Sequence, residues 1–293
     1  MAQSIHPNFL IVGAAKAGTT SLSYWLQQHP DVFLPTIKEP SYFVFNYGLA
    51  NRDQYYSLFA PGAGKQMIGE ASTAYLTAPE SAAWIAKELG MIKIIIILRH
   101  PVKRALSLYA WMAMEGYEWL PDFSTALEKE FERFHDPLFY RNNPEFFWDY
   151  MYFHSGLYVE QVNRYFQIFG KDNVGVYLFD DLVKDPRKFY IDVCGFLSIN
   201  PISEIDFSAK NVSRLPRSVS LQFWLRHDCW RKVPGRFQNL IRSHVPLLMK
   251  LNCKLGSKPV MPLAIEKELS RRYQDEIIRL SDLLQRDLSC WLS

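Results

Sequence analysis

The stretch Asn8–Pro30, NFLIVGAAKAGTTSLSYWLQQHP, decides how the rest of the chain is read. An apolar run, Phe9-Leu10-Ile11-Val12, meets a small-residue turn at Gly13, and an amphipathic segment follows Gly18. The pattern predicts a short buried strand over Phe9–Val12 and a helix over Thr19–Gln28, ended by His29-Pro30. Gly13 and Gly18 keep the spacing of the phosphate-cradling pattern G-x-x-x-x-G-K-S/T, but the lysine, Lys16, precedes the second glycine. A glycine-flanked turn between strand and helix presents backbone N–H groups, and the helix N-terminus adds partial positive charge, so the expected ligand is an anion. Thr19, Thr20 and Ser21 add hydroxyl donors in the first turn, and Lys16 adds a mobile point charge.

Two more strand-to-helix passages follow. Lys93–Leu98, KIIIIL, is β-branched and apolar throughout, as for a central strand covered on both faces. It breaks at Arg99-His100-Pro101, and helical spacing resumes with Pro101 suited to the first turn. Asn173–Phe179 reads as a third strand, followed by a helix from about Pro186 to Leu197. The alternation predicts an α/β fold, a P-loop-like parallel sheet flanked by helices, with the ligand at the carboxyl ends of the strands. The second strand ends in Arg99 and not in a Walker B aspartate, which weakens a kinase reading. Trp111–Tyr158 is dense in aromatics with weak periodicity and reads as helical insertions over the ligand side. Leu215–Lys258 reads as helical, basic and interrupted at Pro234-Gly235 and Pro246, and Glu266–Leu292 as a closing amphipathic helix. With no repeats and no linker, a single domain over residues 1–293 is expected.

A hydrophobic content of 48% argues for a globular chain. The four cysteines, Cys194, Cys229, Cys253 and Cys290, form no C-x-x-C pair and read as free thiols in a reducing compartment. The N-terminus lacks a signal-peptide pattern and the longest apolar run, Ile94–Leu98, is too short to span a bilayer, so a cytoplasmic protein is expected. The net charge is +3, but Lys210–Lys258 carries eleven Lys/Arg against one acid, Asp228. That run points to an anionic partner, whether phosphorylated cofactor, acidic substrate or membrane surface, with a merely solvated basic face as the alternative. No residues have metal-ligand spacing, so no metal is expected, and no nucleic-acid partner either.

GAAKAGTTSL, Gly13–Leu22, resembles the 5′-phosphosulfate loop of sulfotransferases that use 3′-phosphoadenosine 5′-phosphosulfate (PAPS), in which the lysine stands before G-T-T. ILRHPVKRALSLY, ending at Tyr109, resembles the family's 3′-phosphate motif R-x-P-x-x-R-x-x-S-x-Y. The resemblance implies that Lys16, Ala17, Gly18, Thr19, Thr20 and Ser21 hold the 5′-phosphosulfate, with Lys16 catalytic, and that Arg99 and Ser107 hold the 3′-phosphate. Arg104 is the second phosphate candidate, with a surface role as its alternative. TIKEPSYFVF, Thr36–Phe45, resembles the K/E-E-x-x-F-F segment of heparan-sulfate-type and bacterial members, which makes Glu39 the general base and puts Lys38 near phosphosulfate or acceptor. Desolvation by Tyr42, Phe43 and Phe45 is expected to raise the Glu39 pKa. IGEASTAYLTAP resembles the E-K-S/T-P-A-Y-F segment, with Ala71 where the heparan-sulfate enzymes carry lysine, and gives Glu70 a role toward the acceptor or Lys16. VYLFDDLVKDP resembles the V-x-Y-E-D-L segment, so Phe179 either stacks on adenine or packs in the core. Ala209–Gln222 resembles a late loop closing over the 3′-phosphate, with Lys210, Ser213 and Arg214 as its contacts.

The expected donor is therefore PAPS and the product PAP, without metal. The acceptor ranks first as a small metabolite, an alkaloid-type natural product among them, modified at a hydroxyl or nitrogen. Its wall is expected from Trp111, Trp119 and Trp148 with Glu115, while Glu118 and Asp149 read as the polar face of a lid helix. His154 is the alternative base. A sugar or glycolipid acceptor ranks second, membrane contact lower still, and a homodimer accords with many relatives. A P-loop kinase and a non-catalytic nucleotide-binding or membrane-docking module remain as other classes.

Overall fold

The computed structural model describes residues 5–143, 145–208, 215–227, 235–254, 257 and 259–292. The strands are β1 (Phe9–Gly13), β2 (Val32–Phe33), β3 (Met67–Ala71), β4 (Lys93–Leu98) and β5 (Val174–Leu178). The helices are α1 (Thr19–Gln27), α2 (Arg52–Ser57), α3 (Ala74–Thr77), α4 (Ser81–Leu89), α5 (Pro101–Glu115), α6 (Phe123–Glu128), α7 (Glu130–His135) and α8 (Pro137–Asn142). They continue with α9 (Tyr158–Phe169), α10 (Phe179–Lys184), α11 (Pro186–Phe196), α12 (Val219–Arg226), α13 (Gly235–Lys254) and α14 (Leu263–Leu284). Two compact units result, one from Met1–His100, Leu157–Lys210 and Gln274–Ser293, the other from Pro101–Gly156 and Asn211–Tyr273. Among the described residues no helix is long and apolar enough to cross a membrane.

The first unit holds a five-stranded sheet in the order β2-β3-β1-β4-β5, with every pair parallel. β4 lies between β1 and β5, with Ile95 level with Ile11 on one side and Gly175 on the other. Ile94–Leu98 and Phe9–Val12 are fully buried, which is why both runs are apolar without alternation. β2 and β3 were not expected from the sequence. β3, MIGEA, has no apolar run because Gly69 is placed by close approach. A Cβ there would stand 2.5 Å from the Phe9 carbonyl oxygen and its ring. The chain also turns helical at Phe179, where a strand was expected to reach its end. The final helix stops at Leu284, short of the expected Leu292, as Gln285 adopts a left-handed φ of 51°. α13 passes through Pro246 without ending. Pro246 is exposed, so the carbonyl four residues back can be satisfied by water.

The second unit is organised by a buried ion pair. Glu118 is fully buried and accepts from Arg133 Nη1 and Nη2 at 2.7 and 2.8 Å, from the Tyr152 hydroxyl at 2.7 Å, and from the Trp119 and Leu120 N–H groups. The expectation that Glu118 sits on the polar face of a lid helix is thereby corrected, since its carboxylate is an internal tie. α5 and α12 pack together, and Gln222 donates to the Met114 carbonyl at 2.7 Å.

Removing one partner of a buried pair strands the other charge. Glu118→Ala is therefore expected to cost about 3–5 kcal/mol in urea unfolding, and Glu118→Gln with Arg133→Met to cost less. A double variant as unstable as Glu118→Ala would show that stranded charge is not the cause.

Candidate active site

The turn after β1 is tied to the neighbouring strand. Ala14 N–H donates to the Ile97 carbonyl at 2.8 Å, and Ala17 N–H to Ala14 at 3.1 Å. Lys16 is left-handed at φ 65° and half-buried. Gly18, at φ 94°, is required twice over. L side chains rarely adopt that φ, and a Cβ would meet the Phe179 ring and Leu182 at 3.0 Å. α1 then starts at Thr19 with no side-chain cap, leaving first-turn N–H groups directed at the loop. Ser21 and Leu22 N–H groups close onto the Gly18 carbonyl.

Arg99, just past β4, binds this turn from the other side. Its Nη1 donates to the Lys16 carbonyl at 3.0 Å, and its guanidinium lies 4.7 Å from the centroid of the Phe179 ring. The Tyr158 hydroxyl donates to the Arg99 carbonyl at 2.9 Å. Lys16, Gly18, Arg99 and Phe179 thus converge where β1, β4 and β5 end. Phe179 is wedged between Gly18 and Arg99, so it has a packing role in the loop itself.

Beside this cluster is a cleft lined by Thr19, Thr20, Lys38, Glu39 and Glu70 among others. Glu39 stands in a strained turn, with φ of 51° for Glu39 and 49° for Ser41. Its N–H donates to the Ala71 carbonyl at 3.2 Å, and its carboxylate accepts from the Thr73 hydroxyl at 2.8 Å. The expected desolvation of Glu39 is not what the fold provides. Glu39 is exposed, Phe45 is 63% exposed, and Tyr42 and Phe43 turn away to pack on Tyr55.

The buried carboxylate of the cleft is Glu70. It accepts from Ser72 Oγ at 2.8 Å and from the Tyr55 hydroxyl at 3.3 Å. Ser72 Oγ in turn accepts from Ser41 N–H at 3.0 Å. Glu70 therefore anchors, through Ser72, the turn that presents Glu39. Burial pushes its pKa from 4.5 up to about 7, against the opposing pull of the Tyr75, Ser72 and Tyr55 hydroxyls. Ser41, Ser72, Thr73 and Tyr55 had no signal in the sequence, since each acts on a residue brought near only by folding.

The other expected site residues are placed as follows. Ala17 is buried in the loop. Ser107 is buried on α5, in the second unit. Arg104 is buried too, donating to the Tyr152 carbonyl at 2.7 Å and to Ser155 Oγ at 2.9 Å, so its surface alternative is excluded. Trp111 packs by Tyr117 and Trp148 by Phe134 and Phe147, while Glu115 is half-buried. Trp119 lines one cavity of the second unit with Phe139 and Tyr150, and His154 lines another with Arg272. His154 Nδ1 lies 2.6 Å from Glu130. Those two expected acceptor residues thus face separate cavities. Lys210, Ser213 and Arg214 lie outside the described residues.

Residues 6–217 match the sulfotransferase domain family. The chain belongs to that family. A crystal structure of a sulfotransferase from Alicyclobacillus acidocaldarius aligns over 99% of this chain and 100% of its own, at 30% identity and a TM-score of 0.75. A membrane-associated sulfotransferase of Dictyostelium discoideum is 35% identical over 129 residues, 43% of this chain and 26% of that protein. A heparan sulfate glucosamine 3-O-sulfotransferase of Mus musculus is 27% identical over 196 residues, 67% of this chain and 54% of that protein. The chain thus aligns with between about a quarter and about half the length of these curated relatives.

The raised Glu70 pKa has a definite sign for stability. The native state keeps the proton up to about pH 7, while the unfolded chain loses it near 4.5. This group's contribution is full below pH 4.5, declines as pH rises, and is lost above 7. Unfolding free energies of wild type and Glu70→Gln should therefore diverge by roughly 3 kcal/mol between pH 5 and pH 8, in favour of the variant at high pH. A pH-independent difference would contradict the raised pKa.

Proposed function

We propose that this sulfotransferase moves the sulfo group of PAPS to a hydroxyl or nitrogen of a small metabolite, without metal, and releases PAP. The convergence of Lys16, the glycine turn and Arg99 beside a cleft carrying Glu39 is the observation that carries this reading. The donor supplies an activated sulfur bonded to a good phosphate leaving group. The loop N–H groups, Thr19, Thr20, Ser21 and Lys16 hold and neutralise that phosphate end. Arg99 and Ser107 hold the 3′-phosphate, and Lys210, Ser213 and Arg214 close over it. Glu39 takes the acceptor's proton, oriented by Thr73 and by the Ser41–Ser72–Glu70 tie. Because Glu39 is exposed, the acceptor itself supplies the desolvation as it covers the cleft.

Ala71 withholds the cation that a sulfated polysaccharide would meet, which favours a small acceptor. A small soluble metabolite is the leading candidate, an alkaloid-type natural product among them, with a sugar or glycolipid second. Lys38 and Glu70 serve the acceptor in this reading, and Trp111, Glu115, Trp119, Trp148 and His154 are its further candidates. Both compact units belong to a single sulfotransferase domain, since the family match runs through each of them. Among the described residues Cys194, Cys253 and Cys290 form no disulfide, in keeping with a cytoplasmic setting.

Calorimetric titration with PAP, 5′-AMP and ATP in the absence of metal tests the donor. PAP is expected to bind far more tightly than 5′-AMP, and Arg99→Ala to abolish that preference. Equal binding of PAP and 5′-AMP, or ATP binding that needs Mg²⁺, would return the kinase reading. With labelled PAPS and an accepted substrate, Lys16→Ala and Glu39→Gln should each lower turnover by about 10²–10⁴-fold with the fold intact. PAP binding with wild-type turnover in Glu39→Gln would remove the base assignment.

A further inference from the structure

α13 presents an apolar stripe to solvent. Leu247, Leu248 and Leu251 are 52%, 41% and 42% exposed. With exposed His244 they stand at i, i+3, i+4 and i+7, one side of the helix. The adjoining side is the packed one. Val245 and Met249 are half-buried there, and Asn252 is buried. Asn252 Oδ1 accepts from Ser218 N–H at 3.0 Å, while its Nδ2 donates to the Ser218 carbonyl at 2.8 Å and to Gln222 Oε1 at 2.9 Å. These bonds hold α13 against α12 in the orientation that turns the leucines outward. Just beyond it, Val260 and Leu263 are 80% and 65% exposed.

The charge along the segment that carries this stripe is of one sign. From Cys229 to Ile265 the chain has seven Lys/Arg and no acid. Arg242 and Lys250 are exposed on α13 itself, and Lys250 lies along the edge of the leucine stripe by its position in the helix. Isolated exposed leucines are ordinary, but a leucine stripe set in an acid-free basic segment calls for a covering surface that is both apolar and anionic. A second copy of this helix would bring like charges together across a self-complementary contact. Nucleic acid would meet the lysines and arginines and leave the leucines in water. A bilayer bearing anionic headgroups satisfies both features, with leucines at the acyl boundary and cations on the phosphates. We propose that α13 docks this protein peripherally on anionic phospholipid membranes.

Flotation of the full chain with phosphatidylcholine vesicles, with and without added phosphatidylserine, tests this. Binding is expected only with phosphatidylserine, and added salt should weaken it. The triple change Leu247→Ser, Leu248→Ser and Leu251→Ser, and separately Arg242→Glu with Lys250→Glu, should each reduce partitioning by about tenfold or more. All five side chains are exposed, so far-UV circular dichroism should be unchanged, and PAP binding by the same variants should match wild type. No binding, equal binding to neutral vesicles, or wild-type partitioning of the leucine variant would overturn the proposal. So would a concentration-dependent dimer in sedimentation that the leucine variant dissolves, because the stripe would then be covered by a second copy.

Discussion

The contact between Gly18 and the ring of Phe179 is the constraint on which the site is built. The backbone at Gly18 is left-handed and has no room for a Cβ, so the loop after β1 can lie flat against the start of α10. That approach brings the end of β5 to the glycine turn, and Arg99 closes the arrangement from β4. Its guanidinium has two partners at once, the Lys16 carbonyl and the Phe179 face. A cation held between a carbonyl and a ring keeps a positive group next to the loop without collapsing onto a carboxylate.

Two of the buried carboxylates, Glu118 and Glu70, are accommodated in opposite ways. Glu118 faces a bidentate guanidinium and serves the packing of the second unit. Glu70 has hydroxyls for partners, and burial raises its pKa. The difference lies in the partner. A counter-charge compensates the loss of water, whereas hydroxyl donors do so only in part. Glu70 is also the one of the two that lines the cleft, where it steadies the turn carrying Glu39 through Ser72 and Ser41. Glu39, by contrast, is exposed and held by Thr73. The strained turn and the Thr73 bond fix the position of Glu39.

The basic C-terminal segment takes on a distinct character once burial is known. α12 and the Asn252 side of α13 are packed, while the Leu247–Leu251 side is open. Sequence periodicity finds an apolar stripe on such a helix but does not say whether a neighbour covers it. Here the positive charge and the exposed leucines share one helix, a juxtaposition that the run of lysines and arginines alone does not reveal.

Features set by adjacent residues were legible in the chain alone. The Phe9–Val12 and Lys93–Leu98 strands, the glycine turn with its displaced lysine, the helix after Pro101 and the family motifs are all contiguous, and their periodicity is dictated by burial on both faces or one. β2 and β3 were not legible, because β3 owes Gly69 to the Phe9 carbonyl across the sheet and carries Glu70 at its end. The exposure of Glu39, the burial of Glu70 and Glu118, and the tie from Ser41 to Ser72 were decided by the tertiary structure. Each depends on groups 15 to 34 residues apart in sequence, and solvation is a property of what surrounds a group in space. Local sequence specified the family's motifs; packing decided which of the carboxylates meets water.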